Sequence, residues 1–371
     1  MKRTVRKLQG DSLLVGDLPK GCKLCSSGTK MVLFVTGLCD SSCYYCPLSQ
    51  EKGGKDVVFA DEMPVETAID IIEEANAIGA HGVGVSGGDP LCRLDRTLTY
   101  ISFLKEKFGE EFHIHLYTSQ NKVDIDTLKQ LQSAGLDEIR FHPQDNDWSG
   151  IEHALSLGMV TGLELPAIPG EKEKLIETAK RADDMKIDFF NINELETSET
   201  NFQKLISMGM RLTNLSSSSI AGSKETAISI LEWGSKELEY TSLHFCSAKF
   251  KDIVQLRTRL ERRLDRTIRT LEEKEEEEPI VVLGVIRAEH GKSMNMNDLL
   301  GILEIVRQKF DVPPDLVNLD ENRNRIEIAP WILETIAEEL KDELSDALPI
   351  EMGIAHEYPS WDRLQVLFEP V

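Results

Sequence analysis

"KMVLFVTGLCDSSCYYCPLSQ", residues 30–50, joins an apolar run to a polar loop that gathers three cysteines inside eight positions. Residues 30–37 are a short apolar stretch ending at glycine, the pattern of a buried strand. The loop then spaces Cys39, Cys43 and Cys46 as C-x3-C-x2-C. Three thiolates are one too few for a closed tetrahedral site, and an odd number makes no self-contained disulfide framework. Either a fourth ligand comes from elsewhere or one coordination position is left open.

Working outward, five more strand-like runs follow: "GVGVSG" (82–87), "FHIHLYTS" (112–119), "EIRFHP" (138–143), "TGLELPAIPG" (161–170) and "DFFNINELE" (188–196). Between them lie amphipathic stretches such as "VETAIDIIEEANAIG" and "DIDTLKQLQSAG", with helical spacing and glycine stops. Six strands alternating with helices predict an α/β fold with a parallel sheet built from βα units. Ligands in such folds gather at the carboxyl ends of the strands. Past residue 195 a polar loop, "NLSSSS", precedes a helix opening near Ser223. Residues 249–271 hold eight Lys or Arg against three acids, and "EEKEEEE" then reverses the sign. That pairing reads as a basic helix and an acidic linker over 248–279, the helix either solvated or a docking face. Residues 280–371 alternate strand and helix in a βαβαβ-like order, which predicts a small α+β, ferredoxin-like domain. The expected organisation is an extension with a C-x2-C pair (1–29), the βα array with trailing helices (30–247), the 248–279 segment and the accessory domain (280–371).

The chain has 371 residues, a net charge of −22 and seven cysteines. No run of ~18 apolar residues exists, so no membrane partner is expected. The N-terminus is basic without a long apolar stretch, so no secretory signal is expected. Cysteines in such a chain point to a reducing, cytoplasmic setting and to metal chemistry. The acidity does not advertise a nucleic-acid binder.

The cysteine loop after the first strand resembles that of the radical S-adenosylmethionine (SAM) superfamily, and Tyr45 before the last cysteine matches the aromatic usual there. "SGGDP", Ser86, Gly87, Gly88, Asp89 and Pro90, follows the second strand as the superfamily's GGEP motif does, with Asp89 in place of the glutamate. The wider look is similar to archaeal-type relatives of the pyruvate formate-lyase activating enzyme. The resemblance implies a partial (βα)6 TIM-like barrel over residues 30–195. It also implies a [4Fe-4S] cluster on Cys39, Cys43 and Cys46, with SAM chelated at the fourth iron. Such an oxidoreductase cleaves SAM reductively to a 5′-deoxyadenosyl radical that takes hydrogen from substrate, with electrons from a donor such as flavodoxin or ferredoxin.

Strand ends supply the other candidates. Tyr45, the SGGDP residues, Ser119, Glu164 and Asn191 are candidates for SAM, and Arg140 for pairing with its carboxylate. His142, Asn193, Glu194 and Glu196 are further catalytic or substrate-binding candidates. Cys22, Cys25, His244 and Cys246 form a candidate second site for zinc or an auxiliary iron–sulfur cluster; the alternative is an unligated pair and a packed Cys246. Cys92 reads as a small packed residue. The expected reaction is modification of a macromolecule, RNA or protein. The alternatives are activation of a glycyl-radical enzyme, small-molecule biosynthesis, and a non-enzymatic metal-binding scaffold.

Overall fold

Short apolar runs closed by glycine or a capping residue fold here as strands, each handed on to a helix. The computed structural model describes residues 3–344 and 348–371, and the chain divides into two units, Met1–Arg259 and Leu260–Val371. The first unit runs β1 (Arg6–Lys7), β2 (Leu13–Val15), α1 (Lys20–Ser26), β3 (Lys30–Phe34), β4 (Phe59–Ala60), β5 (Met63–Pro64), α2 (Ala68–Ile78), β6 (Gly82–Ser86), α3 (Leu94–Phe108), β7 (His113–Thr118), α4 (Ile125–Ala134), β8 (Glu138–Phe141), α5 (Ser149–Ser156), β9 (Val160–Ala167), α6 (Lys172–Asp184), β10 (Phe189–Glu194), α7 (Phe202–Ser207), α8 (Ser223–Glu237), β11 (Ser242–Cys246) and α9 (Arg257–Thr267), which crosses the division.

Its sheet has the order β1-β2-β11-β10-β9-β8-β7-β6-β3-β4-β5. From β3 through β11 the neighbours pair in parallel. The six expected strands are all present as a partial TIM-like barrel, and β11 adds a seventh. Sequence reading stops at β10 because α7 and its flanking loops break the alternation, and Ser242 and His244 dilute a five-residue run. Local chemistry sets the helix ends. Thr67 and Asp70 make a capping box on α2, and the Asp124 carboxylate caps α4.

The strand period of two then separates two faces. Val83, Val85, Ile114, Leu116, Ile139, Phe141, Leu163, Phe190 and Ile192 are fully buried against Ile71, Ile78, Ile101, Leu104, Leu128 and Leu131 of the helices. Each such side chain stabilises the fold by about 1.5–3 kcal/mol. The alternate positions face inward and are polar: His115, Arg140, Glu164, Asn191 and His244. A fully packed parallel sheet reads as apolar on both faces, so this inner face marks where function lies.

The second unit adds β12 (Glu273–Lys274), β13 (Val281–Ala288), α10 (Met296–Lys309), β14 (Val317–Asp320), β15 (Arg325–Ile328), α11 (Pro330–Glu343), β16 (Ile350–Glu357) and β17 (Gln365–Pro370). The antiparallel order β14-β15-β13-β16, with β17 beyond, is the split βαβ arrangement of ferredoxin-like domains. Ile326 and Ile328 face the helices, while Arg325 and Glu327 on the other face join Glu357 in a buried ion network. The acidic run is not a linker here. Glu272 is buried between Arg269 and Arg363, and β12 pairs onto β13, because burying those charges together satisfies them. Arg257, Arg262, Arg263 and Arg266 of the basic stretch are likewise engaged in interactions.

Candidate active site

The carboxyl ends of the parallel strands surround a cavity of about 480 Å³. Cys39, Cys43, Tyr45 and Cys46 line it from the loop after β3, with Ser86, Gly87 and Gly88 after β6. Tyr117, Thr118, Ser119, Arg140, His142, Glu164, Asn193, Glu194, Glu196 and Lys251 complete the wall. Cys39 and Cys46 are exposed and Cys43 is half-buried, all three as free thiols. The Ser41 amide donates to Cys39 Sγ at 3.3 Å, and Cys43 Sγ donates to Gln144 Oε1 at 3.5 Å.

Two glycines hold this loop against β6. A Cβ on Gly87 would lie 2.5 Å from the Thr36 carbonyl, and one on Gly88 would lie 2.4 Å from the Leu38 carbonyl. Only glycine allows that approach. The Gly88 amide donates to Thr36 O and the Asp89 amide to Leu38 O, both at 2.7 Å. The shelf and the cysteine loop are therefore one backbone unit.

Asp89 and Pro90 stand behind the cavity wall, whereas Ser86, Gly87 and Gly88 of the same motif line it. The Asp89 side chain is fully buried and accepts from the Leu91 amide at 3.0 Å, the Ser119 amide and hydroxyl at 2.8 Å, and the Thr118 hydroxyl at 3.0 Å. It ties the end of β6 to the end of β7 and so positions Ser119, whose Oγ lies 3.8 Å from Cys39 Sγ.

On the other side His142 Nδ1 lies 2.7 Å from the Glu164 carbonyl. A carbonyl only accepts, so Nδ1 carries the proton, and the Tyr45 hydroxyl donates to Nε2 at 2.8 Å. Burial pulls His142 below its usual pKa despite that bond, and burial followed by the nearby Cys43 pushes Tyr45 up. The pair is neutral and fixed in tautomer.

Arg140, the candidate partner of a SAM carboxylate, lines the cavity with its guanidinium already engaged, and Nη2 alone makes no hydrogen bond among the described residues. Its Nε donates to Glu138 at 2.6 Å, and one Nη donates to Glu164 at 3.1 Å and Tyr117 at 3.2 Å. Burial alone would lower it, yet Glu138 and its other neighbours hold it well above the ordinary value. Glu164 also accepts from Asn191 at 3.1 Å and Asn193 at 3.0 Å. Burial raises it, and Arg140 with the two amides more than offsets that. Asn191 itself lies below the cavity, donating to Cys22 Sγ at 3.4 Å. Glu194 accepts from the Ala248 amide at 2.8 Å, and Glu196 pairs with Lys251. Sequence reading missed Lys251 and Tyr117. Lys251 sits in a π-helical turn, Phe250–Leu256, a feature common at functional sites, and only the unrecognised β11 would have pointed to it.

The four donors proposed for a second metal do not assemble a tetrahedral cage. His244 Nδ1 meets Asn191 Oδ1 at 3.2 Å, and Asn191 in turn donates to Cys22 Sγ, while Cys25 is buried on α1 and Cys246 ends β11. No three of these donors lie within 4.8 Å of one another among the described residues, whereas sulfurs on one zinc stand within roughly 4.6 Å, twice a Zn–S bond of ~2.3 Å. The cavity triad is also wider than a single ion's donor shell. Three free thiols on one loop, spread more widely and facing a cavity, suit a multi-iron cluster with one open position.

A sequence profile described as the radical SAM superfamily matches residues 33–192. A Methanocaldococcus jannaschii protein, provisionally named a glycyl-radical enzyme activating enzyme, is 35% identical over 366 residues, 94% of this chain and 92% of that protein. This chain belongs to the radical SAM superfamily. It is a radical SAM enzyme, using SAM and a [4Fe-4S] cluster that together supply a radical for hydrogen abstraction. Cys39, Cys43 and Cys46 would hold the cluster. The PqqA peptide cyclase of Granulibacter bethesdensis is 27% identical over 132 residues, 35% of this chain and 32% of that protein. Residues 280–371 match a domain of unknown function, DUF8061.

Among solved structures, SuiB of Streptococcus suis bound to S-adenosylmethionine aligns with a TM-score of 0.41 at 14% identity, over 62% of this chain and 55% of that one. The methyltransferase TsrM of Kitasatospora setae aligns at 0.37 and 13% identity, over 54% of this chain and 43% of that one. This chain thus spans about half of each of those structures, and scores so low say nothing about its reaction. No helix among the described residues is long and apolar enough to cross a membrane.

Proposed function

We propose that this enzyme activates a glycyl-radical enzyme by removing a hydrogen atom from a backbone glycine of a protein partner. The near full-length likeness to the M. jannaschii protein of that provisional name carries the reading. The cavity wall supports it: Glu164, Asn193, Glu196 and Lys251 offer acceptors and donors that suit a peptide backbone. The expectation of RNA or protein modification thereby narrows to protein, and the engaged arginines of the basic stretch give RNA no advantage.

The chain's own residues bind and orient. The cysteine triad holds the cluster, and Gly87, Gly88 and Ser119 form the shelf on which SAM is placed. Tyr45 and His142 close one side as a neutral pair. Lys251 and Glu196, paired with each other on the cavity wall, exchange that pair for the substrate, the ammonium meeting carbonyls and the carboxylate meeting amide hydrogens. A flavodoxin or ferredoxin in the cytoplasm would supply the electron, and reducing conditions preserve the exposed thiols.

The test incubates anaerobically reconstituted, reduced protein and SAM with host extract, left intact or pretreated with protease or nuclease. An oxygen-sensitive organic radical by electron paramagnetic resonance, lost after protease and retained after nuclease, is expected. A radical lost only after nuclease, or surviving both treatments, would overturn the proposal.

A further inference from the structure

The opposite end of the barrel, where the parallel strands begin, holds donors that this chemistry does not use. His113 and His115 are inward positions of β7, and Glu138 is the first residue of β8. Their relative exposures are 4%, 0% and 1%. One donor atom from each lies within 4.8 Å of the other two, the single such grouping found among the described residues. His113 Nε2 stands 3.5 Å from a Glu138 carboxylate oxygen. His113 Nε2 and His115 Nδ1 have no hydrogen-bond partner among the described residues. Buried polar atoms are almost always paired, so two bare imidazole nitrogens beside a carboxylate call for a ligand.

Two of the remaining atoms of the trio already have partners. His115 Nε2 meets the Tyr117 hydroxyl at 3.2 Å, and Glu138 Oε1 accepts from Arg140 Nε at 2.6 Å. His113 Nδ1 lies 3.8 Å from Asp137 Oδ2, which the Ile114 amide and Lys105 hold at 2.7 and 2.9 Å. Outer partners of this kind fix the tautomer and aim of ligating side chains. Helix α1 covers the group as closely as glycine permits: a Cβ on Gly21 would lie 2.7 Å from His115 Nδ1.

We propose that His113, His115 and Glu138 form a buried site for one divalent transition-metal ion, zinc being the ion that two imidazoles and a carboxylate suit. The ion would clamp β7 to β8 at the closed end of the barrel, remote from the cysteine triad. Arg140 and Lys30 oppose a cation there, and Arg140 is itself paired with Glu138 and Glu164.

The probe is zinc itself, then Co²⁺, on the full chain carrying Cys39→Ala, Cys43→Ala and Cys46→Ala, which removes the cluster. After equilibration with zinc and gel filtration, one equivalent per chain is expected. The Co²⁺ form should show ligand-field bands and no sulfur-to-cobalt charge transfer. Adding Tyr117→Phe removes an outer partner and should weaken the metal about 10–100-fold, and His113→Gln should abolish binding. Substoichiometric zinc in the folded parent overturns the proposal. So does a sulfur charge-transfer band, which would assign the metal to Cys22, Cys25 or Cys246. Full binding in folded His113→Gln overturns it too. The parent measurement decides even if a ligand variant fails to fold.

Discussion

Asp89→Ala is expected to loosen the junction between the SAM shelf and β7. The buried carboxylate accepts from two amides, Leu91 and Ser119, and from two hydroxyls, Thr118 and Ser119. Hydroxyls can turn to other acceptors, whereas the amides cannot. A hydrogen bond to a charged group contributes about 1.5–3 kcal/mol, and a stranded buried donor costs about as much. Two such amides give a loss of about 3–6 kcal/mol. For a unit of this size that lowers the melting temperature by roughly 10 °C. Asp89→Asn keeps one acceptor oxygen and should lose about half as much. Asp89→Glu restores the glutamate usual in the superfamily but adds a methylene at a site with no exposure, costing about 1–3 kcal/mol. Anaerobic calorimetry gives the stability, and SAM binding to cluster-loaded protein gives the effect on the shelf. An Asp89→Ala protein within ~0.5 kcal/mol of wild type, binding SAM normally, would refute the assignment of this carboxylate as the tie.

Tyr45→Phe leaves His142 Nε2 without its donor and should weaken SAM binding about 5-fold, for a neutral hydrogen bond of about 1 kcal/mol, as read by equilibrium dialysis. Burial depresses His142 in the folded state, so its contribution is complete above an unfolded pKa of ~6.5 and is lost as pH falls towards the folded value. Urea melts of His142→Gln should accordingly fall less steeply below pH ~6.5 than those of wild type. Lys251→Met should leave basal 5′-deoxyadenosine release nearly intact while cutting its stimulation by substrate about 10-fold, a loss of about 1.4 kcal/mol. Arg325→Met strands buried Glu327 and Glu357 and should destabilise the second unit by about 3–5 kcal/mol, measured by its own calorimetric transition, with SAM cleavage unchanged.

Much of this was legible in the sequence because local chemistry and tertiary demand agree. Apolar runs closed by glycine gave β3 and β6 to β10, and the cysteine spacing with SGGDP placed the cluster loop beside its shelf. What stayed hidden shares a cause: position along a strand does not reveal which polar groups already have partners. Arg140 ends a strand, as a SAM ligand would, yet Glu138 and Glu164 claim it. Asp89 belongs to the motif yet points away from the cavity. Glu272 opens an acidic run that composition reads as solvated, and Arg269 and Arg363 bury it. The sequence shows His113 and His115 only as parts of a strand, because their meeting with Glu138 depends on the register between β7 and β8.

The central claim is SAM cleavage at the cysteine triad, and 5′-deoxyadenosine release tests it most directly. Anaerobically reconstituted, reduced protein with SAM should release it, with more in the presence of host extract, while the Cys39→Ala, Cys43→Ala, Cys46→Ala protein should release none. A fully loaded cluster with no release above that control would contradict the account.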